Sequence, residues 1–360
     1  MDHGTGLVDL VQHRIDGFLA DRESILRSMS PDTAPLGEFS KRFLSGGKRF
    51  RARFCYWGWA SAARTDEDPA AVVAASAALE LFHAAALVHD DIIDNSDTRR
   101  GEPAAHRRFE ERHAVSGWAG DGAEFGRAGA ILLGDLLLGW SDELLDEGLA
   151  LVPADSARRA RAEFMRMRTE VTAGQYLDIL EERAWLVAPE SDQRARAERV
   201  IVYKSAKYSI ESPLALGATI AGGDGEVVEA LRGFGLPLGI AFQLRDDLLG
   251  VFGDPAVTGK PAGDDLREGK RTMLVAIARE RLGPDARRRL DDLLGDPALT
   301  AEQVSALQAE IIGSGAVDEV ETIIAEHLGR ADAALAAAPI GDAARTELGA
   351  LAEAVVRRSA

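Results

Sequence analysis

The chain has 360 residues, and its 46% hydrophobic fraction is enough for a sizeable buried core, which predicts a globular protein. Its net charge of −17 at pH 7 repels nucleic acid and anionic lipid, so we expect neither as a partner. The single cysteine, Cys55, excludes an intrachain disulfide and a thiolate metal cluster, and it favours a reducing, cytoplasmic location. The first residues contain no basic region followed by an apolar core, so we expect no secretory signal.

Helical signals dominate from the start of the chain, and no run of alternating β-branched residues predicts a strand. Residues 6–29 predict an amphipathic opening helix that ends near Ser30-Pro31. A second helix is predicted after Ser45-Gly46-Gly47, with a basic run on its first turns. The third, residues 69–94, is apolar nearly all round, which places it in the middle of a helical bundle.

The most apolar window, residues 70–88, resembles a membrane span in composition. Glu80 and His83 interrupt it, and Asp90 and Asp91 close it. We therefore interpret it as a buried core helix and expect no stable membrane span.

Glycine and proline predict where the later helices end. Residues 95–106 predict a loop, and 117–129, which contain five glycines, predict a flexible connection. Residues 253–269 predict a long loop of the kind that is usually a functional lid or disordered. Helices are predicted over 129–148, 155–184, 192–210, 207–221 (broken or kinked at Ser212-Pro213) and 225–251, with about four or five shorter ones over 270–358.

Two acidic clusters, Asp90-Asp91-x-x-Asp94 and Asp246-Asp247, each lie at the end of an apolar helix. Asp90 and Asp94 are four residues apart, so they share a helix face, where a bound cation would relieve their repulsion. Carboxylates without nearby His or Cys select hard cations, and Mg²⁺ usually takes one or two carboxylates plus substrate phosphates. One such cluster alone is more often a solvated helix end, so it is the repetition that predicts a magnesium site for a phosphorylated ligand.

Basic residues follow the glycine pair Gly46-Gly47 and each of the two acidic clusters. Arginine offers a bidentate fork to phosphate oxygens and lysine a mobile point charge. These basic residues are Lys48, Arg51, Arg99, Arg100, Lys260, Lys270 and Arg271.

Three segments together resemble the ordered motifs of the trans-isoprenyl diphosphate synthases, or polyprenyl synthetases, most of all a bacterial geranylgeranyl diphosphate synthase. They are Gly46-Gly47-Lys48-Arg49-Phe50-Arg51, His89-Asp90-Asp91-Ile92-Ile93-Asp94 with Arg99-Arg100-Gly101, and Phe242-Gln243-x-x-Asp246-Asp247. They occur in the family's order within residues 46–272, about two thirds of the chain. The resemblance implies an all-α fold, a single-domain helical bundle of the isoprenoid synthase type around a deep central cavity. It also implies a homodimer.

On this resemblance residues 1–360 form one polyprenyl synthetase domain, with an N-terminal helix over 1–30 and C-terminal helices over 273–360. Three Mg²⁺ ions per active site are implied, with Asp90, Asp94 and Asp246 as ligands and Asp91 and Asp247 in support. The residues implied to hold the diphosphate of isopentenyl diphosphate are Lys48, Arg51, His83 and Arg100. Those implied around the allylic diphosphate are Arg99, Lys204, Ser205, Gln243, Lys260 and Lys270.

Several of these assignments have alternatives. His83 on an apolar helix could be a core histidine, although its seven-residue spacing to Asp90, two helical turns, favours a ligand role. Gln175 and Asp178 resemble a further inward-facing motif of the family. Ser205 stands where the family usually has Thr, and Ala52 where many relatives have Pro.

The implied reaction is a Mg²⁺-dependent, head-to-tail condensation of isopentenyl diphosphate with dimethylallyl, geranyl or farnesyl diphosphate to an all-trans product. Ala85 and Ala86, just before Asp90, stand where farnesyl-type enzymes often place an aromatic plug. Phe82, one turn below, could be the cavity floor, which predicts the twenty-carbon geranylgeranyl diphosphate. A longer product follows if Phe82 points away, and the first cluster lacks two extra residues that bacterial short-chain enzymes commonly carry.

Two other functions remain open from the sequence. A class I terpene cyclase would share the fold and the first acidic cluster, but it would not need Lys48, Arg51 and Arg100 for a second diphosphate. A non-catalytic subunit of a heteromeric synthase would tend to lose its acidic clusters, and both are intact here.

Overall fold

A computed structural model describes residues 3–64, 66–99, 101–185, 187–254 and 263–356. The described chain is almost wholly helical, which confirms the predicted all-α class. It falls into two compact units, one of Met1–Arg161 with Leu216–Gly223, the other of Ala162–Ala215 with Asp224–Ala360. The arrangement as a single domain stays a prediction.

The first unit is built around one apolar helix. Its helices are α1 (His3–Met29), α2 (Ala34–Phe43), α3 (Phe50–Ala60), α4 (Ala70–Ile93), α5 (Ala105–Ser116) and α6 (Gly122–Leu149). A two-residue hairpin, β1 (Thr98–Arg99) with β2 (Glu102–Pro103), joins α4 to α5. Helix α4 packs mainly on α6, and also on α1, α3 and α5. Most of its side chains are buried, as its all-round apolar pattern predicts.

Helix α7 (Ala154–Ala184) begins in the first unit and continues in the second. The helices that follow α7 are α8 (Gln193–Val200), a π-helix (Ile201–Glu211), α9 (Ser212–Ile220), α10 (Gly225–Phe252), α11 (Asp264–Glu268), α12 (Met273–Arg281), α13 (Pro284–Leu293), α14 (Ala301–Gly313), α15 (Ala316–Ala337) and α16 (Asp342–Val356). Helix α10 is the centre of the second unit, because it packs on both α15 and the π-helix.

The helical segment expected to break or kink at Ser212-Pro213 continues without a gap and changes helix type there. The chain is π-helical up to Glu211 and α-helical from Ser212, so that Pro213 lies in the first turn of α9, where proline is tolerated. Pro237, in contrast, lies inside α10.

Several expectations for local structure were wrong or incomplete. The flexible connection expected over 117–129 is largely the start of α6, because Gly126 and Gly129 let that helix approach His106 and Phe109 of α5 closely. Helices α2 and α5 were not predicted. Helix α11 occupies part of the loop expected over 253–269, of which residues 255–262 lie outside the described part of the chain. The short hairpin replaces part of the loop expected over 95–106, and Gly101 supplies a positive φ of 76° beside it.

Two helices of the described chain, α4 and α10, are long and apolar enough to cross a membrane by length and composition alone. In α4, 83% of the most apolar window is buried inside the protein, and the core helices of many proteins meet the same criterion. The expectation of no stable membrane span stays a prediction.

Candidate active site

The first acidic cluster lies on the last turn of α4, and its two adjacent aspartates have different surroundings. The Asp90 side chain is 23% exposed, whereas that of Asp91 is 0% exposed. Asp94 is the C-terminal capping residue, and its backbone N–H donates to the Asp90 carbonyl at 2.8 Å. Like Asp90, it is half-buried. The accessible carboxylates are therefore those expected to meet a cation.

Arg99, expected at the allylic diphosphate, lies on β1 and is bonded to this cluster. Its Nε donates to Asp91 Oδ1 at 2.9 Å, and its Nη2 bonds to the same oxygen. Nη2 also lies 3.8 Å from Asp90 Oδ2. A guanidinium thus sits among the aspartates that the sequence expects to share a bound diphosphate with it. Arg100 lies outside the described residues.

The basic run before α3 divides into exposed and buried cations. Lys48 is exposed and Arg51 half-buried. Arg49 is buried, and its Nη1 donates to Glu80 Oε2 of α4 at 2.9 Å. Sequence reasoning missed this pair, although a glutamate inside an otherwise apolar helix is a signal that a buried cation faces it. His83 is half-buried on α4, three residues after Glu80.

The residues expected to set product length lie on the same helix. Phe82 and Ala85 are buried, and Ala86 is half-buried. Phe82, Ala86 and Asp90 succeed one another at intervals of four residues, which places them along one side of α4. Their role in product length stays a prediction.

In the second acidic cluster, on α10, the two aspartates again differ. Asp246 is exposed, whereas Asp247 is buried and its Oδ1 accepts from Gln243 Nε2 at 2.8 Å. Burial raises the pKa of Asp247 well above its ordinary value, and the nearby Asp265, Asp246 and Asp178 raise it further. The Gln243 hydrogen bond acts in the opposite direction.

Asp265 is a member of this second group that sequence reasoning missed. The first cluster ends in Asp94, but the corresponding position after Asp246-Asp247 is Gly250. A Cβ atom added at Gly250 would overlap the Asp265 carboxylate. The absence of a side chain at Gly250 thus lets a carboxylate from α11 lie against this turn of α10.

We therefore predict that Gly250→Ala lowers the rate of the expected condensation reaction about tenfold, because the new methyl group moves the Asp265 carboxylate and disturbs the charges around Asp247. Steady-state kinetics and thermal unfolding would check this. Gly233→Ala is the matched control on the same helix, since its Cβ would meet only Ala334 Cβ at 3.9 Å. A Gly250→Ala variant with the wild-type rate would contradict the prediction.

Asp178 of α7 brings together two of the expected diphosphate-binding lysines. Its Oδ2 accepts from Lys204 Nζ at 2.5 Å and from Lys270 Nζ at 3.2 Å. Lys270 also donates to Glu182 at 3.0 Å. Burial alone would raise the pKa of Asp178, but the two ammonium groups outweigh it and hold the pKa below its ordinary value. Gln175, expected beside Asp178, is half-buried, and Lys260 lies outside the described residues.

The π-helix that carries Lys204 and the buried Ser205 lies close to α7 and α10. A Cβ atom at Gly174 of α7 would overlap the Lys204 backbone, and one at Gly239 of α10 would lie 2.5 Å from the Ala206 carbonyl oxygen. Side chains at these two positions would push the neighbouring helices apart. The two glycines therefore allow the π-helix, with Lys204, to pack closely on both α7 and α10.

The donor chemistry of these residues fits a hard cation that is shared with a phosphorylated ligand. In the part of the chain that the structure describes, no group of three or more His, Cys, Asp or Glu side chains is arranged to hold a metal ion by itself. Mg²⁺ usually takes only one or two carboxylates and completes its shell with water and phosphate oxygens. Asp90, Asp94 and Asp246 provide carboxylates of this kind on accessible helix turns.

The raised pKa of Asp247 leads to a second prediction. A carboxyl whose pKa is raised on folding costs nothing below its unfolded pKa, near 3.8, and destabilises the fold increasingly as pH rises above that value. Asparagine avoids this cost. Asp247→Asn should therefore raise the melting temperature by a few degrees at pH 8 in a chelating buffer, and by much less at pH 4.

Thermal unfolding at the two pH values measures this difference. Asp332→Asn on α15 is the control, because its carboxylate is exposed and is not one of the charges that raise the pKa of Asp247. A gain for Asp247→Asn that is equal at both pH values would contradict the electrostatic explanation.

The chain is similar in sequence to a known protein family and to several of its members. The family profile described as polyprenyl synthetase matches residues 34–311. A geranylfarnesyl diphosphate synthase of Aeropyrum pernix is 31% identical over 340 residues, which cover 94% of this chain and 96% of that protein. A geranylgeranyl diphosphate synthase of Mycobacterium tuberculosis is 34% identical over 316 residues, covering 87% of this chain and 81% of that one.

A solved structure is also similar over the whole chain. It is the geranylgeranyl pyrophosphate synthase of Corynebacterium glutamicum in complex with isoprenyl diphosphate and magnesium, with 39% identity and a TM-score of 0.93. The similarity covers 100% of both chains.

Proposed function

We infer the function from one premise: the chain belongs to the polyprenyl synthetase family. We propose that it is a Mg²⁺-dependent trans-prenyltransferase that condenses isopentenyl diphosphate head-to-tail with an allylic diphosphate and releases diphosphate. The observation that carries this proposal is the same division in both acidic clusters. In each, one aspartate is accessible, and its neighbour is buried and held by a side chain, Arg99 for Asp91 and Gln243 for Asp247. The held carboxylate gives each cluster a fixed geometry, and the accessible one is available to a cation.

The proposed mechanism assigns the protein residues to charge stabilisation. Asp90, Asp94 and Asp246 would hold Mg²⁺ ions, proposed as three per site, which would supply positive charge to the diphosphate oxygens. Arg99, Lys204 and Lys270 stabilise the negative charge that grows on the allylic diphosphate as its carbon–oxygen bond breaks. Lys260 is added to these residues by resemblance. Ser205 and Gln243 orient the allylic diphosphate in this proposal.

A separate set of residues is assigned to the second substrate. The diphosphate of isopentenyl diphosphate is held by Lys48, Arg51, His83 and Arg100. Its double-bond electrons form the new carbon–carbon bond at the allylic cation, and a proton then leaves the new cation. The departing diphosphate is the proton acceptor in this proposal, and apolar walls keep water from the cation.

Geranylgeranyl diphosphate is the proposed main product. Small side chains at Ala85 and Ala86 leave no aromatic plug beside Asp90, and buried Phe82 follows one turn deeper. The second candidate is the twenty-five-carbon geranylfarnesyl diphosphate. It is favoured by the name of the Aeropyrum pernix relative, which spans 94% of this chain.

We further propose a cytoplasmic homodimer with one polyprenyl synthetase domain per chain. The family match over 34–311 includes parts of both compact units, which supports one domain. Helix α6 exposes large apolar side chains at Phe125 and Leu132, seven residues or two turns apart, which supports a self-associating face. Light scattering of the purified protein would test the dimer.

The test of the reaction uses purified protein, Mg²⁺ and farnesyl diphosphate, with and without isopentenyl diphosphate. We expect a longer linear prenyl diphosphate only when both substrates are present, and no turnover after chelation of the metal. Cyclic hydrocarbon from the allylic substrate alone would instead identify a terpene cyclase. No conversion under either condition would favour the non-catalytic subunit.

A further inference from the structure

The backbone at Arg49 has an unusual conformation for a residue with a side chain. Arg49 immediately precedes α3 and has φ 50° and ψ 40°, in the left-handed region. Among the described residues, only Arg49 and Asn95 combine a side chain with a positive φ. Gly46 and Gly47 before it also have positive φ, but glycine adopts that conformation without strain. The strain at Arg49 requires compensating contacts.

Those contacts come from three separate parts of the first unit. Besides Glu80 of α4, the guanidinium bonds to Gln12 Oε1 of α1 at 2.5 Å and to the backbone carbonyl of Leu44, just after α2. The carbonyl of Arg49 accepts from the Arg53 N–H at 2.9 Å and so begins α3. One residue therefore closes the loop 45–48 at both ends and ties it to α4.

The side chains beside Arg49 point to a role other than stability. Lys48 is exposed and Arg51 half-buried, whereas the Arg49 and Glu80 side chains are only 4% and 7% exposed. Burying an ion pair costs desolvation, and well-packed apolar residues in its place are often equally stable. Glycine at position 49 would also relieve the backbone strain. Stability alone therefore does not account for a buried ion pair on a strained backbone at this position.

We propose that Arg49, anchored by Glu80, is a positioning residue that fixes Lys48 and Arg51 for the diphosphate of isopentenyl diphosphate. This inference rests on the proposed function. Arg49 touches no substrate in this role; it sets where the loop before α3 and the first turn of α3 lie relative to α4. Loss of the anchor should weaken binding of isopentenyl diphosphate and leave binding of the allylic diphosphate nearly unchanged.

The test compares Arg49→Met with the double variant Arg49→Met/Glu80→Met. The single variant leaves a buried carboxylate unpaired, so it should unfold at a lower temperature than the wild type. The double variant replaces both charges with apolar side chains and should recover most of that loss. In both variants KM for isopentenyl diphosphate should rise about tenfold or more, because misplaced binding groups lose affinity, with KM for the allylic diphosphate within about twofold.

Arg53→Met is the matched control, since Arg53 is a half-buried arginine of the same basic run. It should leave both KM values within about twofold of the wild type. A double variant that melts like the wild type and keeps the wild-type KM for isopentenyl diphosphate would overturn the positioning role. If the single variant does not fold, the double variant still decides the question. A wild-type protein that never elongates an allylic diphosphate would instead reject the proposed function, and the inference with it.

Discussion

Replacing Asp90 with asparagine is expected to lower kcat of prenyl transfer about 10²–10³-fold, the usual cost of removing one group that stabilises transition-state charge. Asparagine keeps the shape of the side chain but not its charge, so a cation bound between protein and diphosphate loses a ligand. The fold should be little affected, because the side chain is partly exposed and its Arg99 contact is long, at 3.8 Å. Kinetics at saturating Mg²⁺, together with thermal unfolding, would measure both effects.

The matched control for this prediction is Asp97→Asn in the same acidic stretch. Asp97 Oδ1 accepts from Arg107 Nε at 2.7 Å, and this pair lies on the surface. Its loss should change kcat less than about twofold. Equal losses in the Asp90 and Asp97 variants would show that the total charge of the stretch matters, and that Asp90 has no specific role.

The features that the sequence predicted well depend on local pattern. Helix α4 was predicted as 69–94 and is found as Ala70–Ile93, because an all-round apolar helix has few alternatives to burial. The spacing of Asp90 and Asp94 follows directly from helix geometry. The resemblance to the family also predicted functional residues that are far apart in the chain. Two of them, Lys204 and Lys270, both contact Asp178.

The features that were missed depend on contacts between distant residues. The sequence shows Arg49 as one cation in a basic run, but it does not show that Glu80 of α4 pairs with it. Asp265 could not be connected with Gly250, because the path of the chain between them is not given by any periodicity. Gly126 and Gly129 suggested flexibility, whereas their actual role is close packing of α6 on α5. Composition alone does not distinguish these two uses of glycine.

The second large effect concerns the length of the product. Ala86→Phe is expected to shift the main product from twenty to fifteen carbons. Ala86 is half-buried on α4, one turn before Asp90, so a phenyl ring there would be attached about 6 Å from Asp90 along the helix axis. A growing chain that starts at the diphosphate site would meet it early. Chromatography of the dephosphorylated products would show the change.

Phe82→Ala should have the opposite effect and lengthen the product. Phe82 is buried, so its truncation also costs about 3–5 kcal/mol of stability, and the assay should be run well below the melting temperature. Leu81→Ala is the matched control, since Leu81 is also buried on α4 but points about 100° away around the helix. An unchanged chain length in Phe82→Ala would rule out Phe82 as the floor of the cavity.

Ala86→Phe and Phe82→Ala, compared with Leu81→Ala, distinguish a cavity floor at Phe82 from a general loss of packing. Leu81→Ala leaves a cavity that loosens the packing of α4 but does not change the face that carries Asp90. Longer products from that variant would therefore show that loss of packing alone lengthens the product. Opposite shifts from Ala86→Phe and Phe82→Ala, with Leu81→Ala unchanged, would require a growing chain that runs along the 82–86–90 face. In that case one helix both supplies the carboxylates that start the reaction and limits how many times it is repeated.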